Sequence, residues 1–253
     1  MRFLPALLAL LVLAGCDATD PDPAAPGLLA PDAFSFEPGF PSARGIVVGE
    51  NFNNGAFRVG VVSAIIGVNL ILPSAATHAA TRTQPFVEDG VWVWESTFQQ
   101  GGNPATFRLE GEPSGREVNW RLSITNRDYD GFTLYTARTD FDGQTGDWRL
   151  YYDIDGQRTE VLRAGFEVTG SDSRELTFSI PPGRDGAGSS VLYVHDGSAR
   201  AFDWHEEPAG FDHLVEWDAV TNEGWIEADN YRGGERGCWD ASLADVPCPS
   251  AAL

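Results

Sequence analysis

Three histidines and several carboxylates crowd one stretch of the chain: His195, His205 and His213, with Asp203 and Asp212 among them and Asp196, Glu206 and Glu207 alongside. Imidazoles and carboxylates hold zinc or a similar ion when three or four converge, and a metal-bound water is then a hydrolytic nucleophile. His195, His205, His213, Asp203 and Asp212 are therefore candidate ligands of a metal-assisted hydrolase. The local order departs from the H-E-x-x-H motif, because Ala209 stands where the second histidine belongs. The competing reading is a solvated acidic loop between strands.

Asn126-x-Asp128-x-Asp130-Gly131 copies the first half of a calcium loop, but Ala137 occupies the position that needs a bidentate Glu. Asp140-x-Asp142-Gly143 and Asp153-x-Asp155-Gly156 repeat the pattern and read as hairpin turns. G-x-S-x-G, the P-loop, G-x-G-x-x-G and a Cys/His nucleophile pair are all absent. Paired acids cleave glycosides only at a set separation, which sequence does not fix. The chain thus reads as a non-enzyme without a cofactor.

Leu13-Ala14-Gly15-Cys16 closes an apolar run that follows Arg2 and extends from Phe3 to Val12. This resembles the signal of bacterial lipoproteins, and the run is too short to span a bilayer, which takes about 20 apolar residues. The resemblance implies that residues 1–15 are removed and that Cys16 becomes a lipidated first residue. Multiple acyl chains on Cys16 would anchor the protein stably at a membrane of the cell envelope, facing the periplasm or the exterior. Residues 16–44 carry Pro21, Pro23, Pro26, Pro31, Pro38 and Pro41. Such a composition makes an extended tether. Export would place the two remaining cysteines, Cys238 and Cys248, in an oxidising compartment, where a structural disulfide is the expected pairing.

The chain has 17 basic residues, all Arg, against 37 acids, a formal net charge of −20. Nucleic-acid binding requires a basic footprint, so that class is excluded, as is a polybasic grip on anionic lipid. Two readings of the acidity remain open: a surface adapted to salty surroundings, or a site for a divalent cation or cationic ligand.

The elements that must position these residues are legible from periodicity. Between Asn53 and Leu72 apolar residues recur at three and four, on one side as Phe57, Val61, Ala64, Ile65, Val68 and Leu72. The other side is also apolar, through Val59, Val62, Ile66 and Leu70. A helix apolar on both sides is expected to be buried, with Pro73 ending it and Ser74 to Thr83 forming a weak second helix. Beyond Asp89, period-two runs such as Val118-Trp120-Leu122-Ile124 alternate with Asp-Gly turns, which indicates about ten strands joined by hairpins. The expected fold is mainly β: an antiparallel meander curled into a full or partial β-barrel, with the apolar helix in or on its concave face. Residues 45–250 form one helix-plus-β domain in this reading.

Gly237-Cys238-Trp239-Asp240 through Val246-Pro247-Cys248, Trp92-x-Trp94 and Glu216-Trp217-Asp218 resemble a group of uncharacterised bacterial lipoproteins with a helix followed by a β-rich domain. The similarity implies architecture and carries no activity. The leading functional expectation is a lipid-anchored extracytoplasmic protein that binds a partner or plays a structural role in the envelope. The runner-up is a carrier of a small apolar ligand in a half-open barrel, for which the eight Trp and fifteen Phe would supply lining.

Overall fold

A computed structural model describes residues 25–26, 40, 48–100 and 102–249, with the backbone alone at 71–73, 76, 80, 81 and 100. Cys16, the segment 1–15 and most of 16–44 lie outside the described residues. One helix, α1 (Glu50–Thr81), precedes fourteen strands. The first seven are β1 (Phe86–Glu88), β2 (Val91–Gln100), β3 (Asn103–Ser114), β4 (Glu117–Thr125), β5 (Phe132–Asp140), β6 (Thr145–Ile154) and β7 (Gln157–Gly170). The rest are β8 (Ser173–Ser179), β9 (Ser190–Asp196), β10 (Ala199–Glu206), β11 (Phe211–Asp218), β12 (Gly224–Ala228), β13 (Gly237–Trp239) and β14 (Asp245–Val246).

Each strand pairs antiparallel with the next, in the order β1 to β14 without a crossover. Strand alternation sends Trp94, Leu109, Leu122, Tyr135, Leu150 and Phe202 into one core. The turns are built as their sequences dictate. Asp89-Gly90 and Asp155-Gly156 both take two successive positive φ values, 50° and 82° in the first and 54° and 76° in the second, which is the mirror-image turn that matches strand twist. Register shifts at Leu122/Ser123, Leu150/Tyr151 and Val168/Gly170 bend the sheet.

The sheet does not close into a barrel, because β1 and β14 do not pair. Instead α1 contacts β2, β3 and β4 on one side and β12, β13 and β14 on the other, so both ends of the curved sheet meet the helix. The two terminal strands have three and two residues, and such short edges offer little ladder for mutual pairing. Asp245 on β14 spends its carboxylate on the helix start, accepting from the backbone N–H of Glu50 (3.1 Å) and Asn51 (2.9 Å). An aspartate at a helix N-terminus satisfies orphan amides and complements the dipole.

Two expectations about the helix are corrected. It runs unbroken through Pro73 to Thr81, so Ser74 to Thr83 is the end of the same helix and not a second one. Nor is it buried on all sides. Phe52, Val59, Val62, Ile66 and Leu70 lie in the core, whereas Phe57 (69% exposed), Val61 (37%), Ile65 (53%) and Val68 (66%) face outward. An open sheet covers one side of a helix and leaves the other uncovered. No helix of the described residues is long and apolar enough to cross a membrane.

Candidate functional site

Strand alternation divides the five candidate metal ligands: Asp203, His205 and Asp212 share one face and border one cleft, while His213 and His195 lie apart from them. His205 and His213 sit on paired strands, but His213 is opposite Trp204 while His205 is opposite Asp212. Successive side chains point to opposite faces, so His213 is buried and His205 is outside. His195 is opposite Arg200, towards the other end of β10, with Nε2 3.2 Å from Asp172 Oδ1. His205 Nδ1 lies 2.6 Å from Asp212 Oδ1 and its Nε2 3.4 Å from Glu207 Oε1. These hydrogen bonds hold the His205 imidazole above the usual histidine range. Burial, with Asp212 close by, raises the Asp203 carboxyl. Among the described residues no group of three or more His, Cys, Asp and Glu side chains is placed to hold a metal ion.

Two of the calcium-like loops spend their first side chain on the turn itself. Asn126 Oδ1 accepts the backbone N–H of Asp128 (2.9 Å) and Tyr129 (2.8 Å), and Asp140 Oδ1 accepts that of Gln144 (2.6 Å) and Thr145 (3.1 Å). Oxygens so occupied explain the spacing by backbone satisfaction.

His213 belongs to a buried polar junction that joins α1 to the sheet, and Arg58, the single arginine of the helix, organises it. Arg58 Nε donates to His213 Nδ1 (3.2 Å), Nη1 donates to Asn54 Oδ1 (3.0 Å) and Nη2 donates to Asn230 Oδ1 (2.7 Å). Because Nδ1 accepts, the imidazole proton resides on Nε2, which points toward Glu206 Oε2 at 3.4 Å. Trp204 stacks on the ring at 4.5 Å. The arrangement ties α1 to the sheet through buried hydrogen bonds and so orients the helix.

Burial, assisted by the neighbouring Arg58 charge, pushes His213 below the usual histidine range. The unfolded chain therefore takes up a proton at this site first as pH falls. Stability is full above the ordinary histidine value near ~6.5 and is lost as pH drops below it toward the folded value. His195, lowered by burial and by Arg200 and Arg174, acts in the same direction, and the exposed His205 opposes it. The expected result is a urea midpoint that falls between about pH 7.5 and pH 5.5, and falls less in His213→Gln, whose carbonyl still accepts from Arg58. Equal slopes in the two proteins would remove His213 from the account.

Clefts of about 360 and 320 Å³ border His213 and His205 respectively, each with Asp203 and Asp212, and two others lie elsewhere on the domain. One, of about 430 Å³, lies near the disulfide and is lined by Trp225, Glu216, Glu223, Asp218, Val246 and Pro247. Cys238 and Cys248 are bonded, with Cα atoms 5.1 Å apart, and pin that wall. Arg236 covers the Trp225 ring at 3.6 Å, while Asp218 is committed to the backbone N–H groups of Val220 and Thr221. The other cleft, of about 190 Å³, lies between α1 and strands β7 to β10, lined by Val62, Ile66, Leu162, Phe178, Val191 and Trp204. Its rim includes Ile65, so it runs onto the exposed apolar face of α1.

That face gathers four of the exposed large apolar side chains of the described residues, Phe57, Val61, Ile65 and Val68. From Phe57 to Val68 every exposed position on it is Phe, Val, Ile, Ala or Gly. Periodicity identified these residues, but assigned them to the core. Asn51, Arg58, Asn230 and Asp245 decide which side is buried, and the only local sign of them in the sequence is a charge, Arg58, set among apolar neighbours.

The architecture is an open antiparallel meander seated on one helix. Comparison of the chain with protein-family models, curated proteins and solved structures finds no match.

Proposed function

We propose that this chain is a lipid-anchored, non-enzymatic protein of the bacterial cell envelope whose β domain presents a binding face on α1. The observation that carries the binding part is the exposed apolar side of the helix. Contiguous apolar surface of this kind on a soluble domain marks an interaction site. The anchoring part is supported by Leu13-Ala14-Gly15-Cys16 after a short apolar run and by a Cys238–Cys248 bridge suited to an oxidising compartment. With no lysine and a net charge of −20, the acyl chains are the membrane attachment in this reading.

Cells fed a clickable palmitate analogue test the anchor. The wild-type chain is expected to carry label and to sediment with the envelope, and Cys16→Ser to lose the label. Equal labelling of both, or of neither, would overturn the anchor.

A second reading, a carrier of a small apolar ligand, draws on the cleft between α1 and β7 to β10. Its volume of about 190 Å³ is below the ~300–1,000 Å³ of ordinary ligand pockets, so a ligand there would extend along the helix. Native mass spectrometry of protein taken from its own envelope would show a stoichiometric lipophile in that case.

A further inference from the structure

The exposed side of α1 has a finer pattern than apolarity. Phe57, Val61, Ala64, Val68, Ile71 and Ala75 are spaced four, three, four, three and four apart along one continuous helix. A 3.5-residue period is the seam of a coiled coil, in which two helices interlock side chains. The side chains described at these positions, Phe57, Val61, Ala64, Val68 and Ala75, are all exposed. The seam spans about 27 Å at 1.5 Å per residue.

We propose that this face pairs with the same face of a second copy of the chain, as an antiparallel two-helix seam about a twofold axis at Ile66. The occupant is selected by two features that agree on one register. The first is charge: Glu50 at the helix start lies opposite Arg82 of the partner just past its helix end. The antiparallel arrangement also sets each helix's positive end beside the other's negative end. The second is size. In that register Phe57 meets the partner's Ala75 and Ala64 meets the partner's Val68. On the flank, Ile65 lies over the partner's Gly67, where nothing lies within 4 Å of a Cβ position.

A large side chain over a small one allows close approach. A patch that complements itself under a twofold is what a closed dimer requires. A lipid surface fits less well. Interfacial helices carry Lys and Arg along their polar side, whereas Glu206 and Glu207 rim the cleft beside Ile65. The contact is narrow, so the dimer is weak in dilute solution and is populated where anchoring concentrates the chains. That local concentration rests on the proposed anchor. Since both copies are acidic, pairing strengthens as salt screens their repulsion.

Two differently tagged full-length chains, one Phe57→Cys and one Ala75→Cys, are co-expressed and oxidised, both in isolated envelopes and as concentrated purified protein. The expected product is a mixed-tag disulfide dimer, with little dimer from Phe57→Cys alone. Wild type serves as the blank for Cys16, and Val220→Cys, 78% exposed elsewhere, as the blank for collision. Adding Val61→Asp to both chains should abolish the mixed dimer while circular dichroism is unchanged. No mixed dimer in either preparation overturns the pairing. So does Phe57→Cys joining itself as readily as Ala75→Cys, or an Ile65→Cys thiol shielded from a water-soluble maleimide by membrane without cross-linking. A mixed dimer in concentrated protein, from a chain without palmitate label, upholds the pairing and removes only the anchor.

Discussion

Truncation of Trp239 to alanine is expected to lower the unfolding free energy by about 3–5 kcal/mol, the range for a buried large aromatic. Trp239 is 2% exposed on β13. Its ring packs edge-on to Phe52 of α1 at 5.8 Å and lies 6.1 Å from Phe40, which itself packs on Trp217 at 4.8 Å. Its Nε1 donates to the carbonyl of Asn222 at 2.8 Å. Gly55 and Gly224 present bare backbone to the indole, and a Cβ at Gly224 would collide with it and with the carbonyl of Glu216. The alanine variant therefore leaves a cavity walled on two sides by the bare backbone of Gly55 and Gly224, together with an unpaired carbonyl. Trp239→Phe keeps most of the ring and loses the N–H, so about 1 kcal/mol of its deficit is the hydrogen bond. Urea unfolding followed by circular dichroism measures both. A loss under about 1 kcal/mol for the alanine variant would mean that this end of the core collapses without strain, contrary to the packing described.

Asn51→Ala is expected to cost about 3 kcal/mol, although only a few atoms are removed. Asn51 is 1% exposed. Its Nδ2 donates to the carbonyl of Cys238 (2.9 Å), and its Oδ1 accepts from the Tyr231 hydroxyl (2.8 Å) and from Arg232 Nη1 (3.0 Å). Deleting the amide strands a buried acceptor and a buried donor, at about 1–3 kcal/mol each. Gly237 is part of the same fit, because a Cβ there would strike the Asn51 amide. Gly237→Ala should therefore be strongly destabilising alone and less so when added to Asn51→Ala. The coupling comes from a double-mutant cycle by urea unfolding. Strict additivity of the two would show that the residues do not share this contact.

Both predictions concern the joint between the helix start and the last strands, and that joint bears on the proposed binding face. Asp245, Asn51, Arg58 and Trp239 together fix the rotation of α1 about its axis. A helix freed at this end is no longer held with Phe57 to Val68 outward, so face-dependent association should weaken along with stability.

Much of the fold was legible because strands announce themselves locally. Trp120, Leu122 and Ile124 alternate, Asp-Gly pairs separate the runs, and backbone sterics make each such pair a turn. The count was short, with about ten strands expected against fourteen. β1, β13 and β14 have three, three and two residues, too few to display a period. The disulfide was also foreseeable, since Cys238 and Cys248 are the only cysteines besides Cys16; the pairing of β13 with β14, Cys238 opposite Val246, brings them within reach. Which histidines share a face was not legible, because proximity in sequence is not proximity in a sheet: one residue of offset puts His205 outside and His213 inside.

The sequence by itself determined an acidic, lysine-free chain with a meander of hairpins and a helix apolar on two sides, since composition and period are properties of the string. Tertiary structure alone decided whether the ribbon closes, which side of the helix is covered and which polar groups meet beneath it. Those outcomes depend on pairings such as Arg58 with His213 and Asp245 with Asn51. Buried hydrogen-bonding groups must find partners wherever the chain returns to them, and no local pattern encodes a partner more than a hundred residues away.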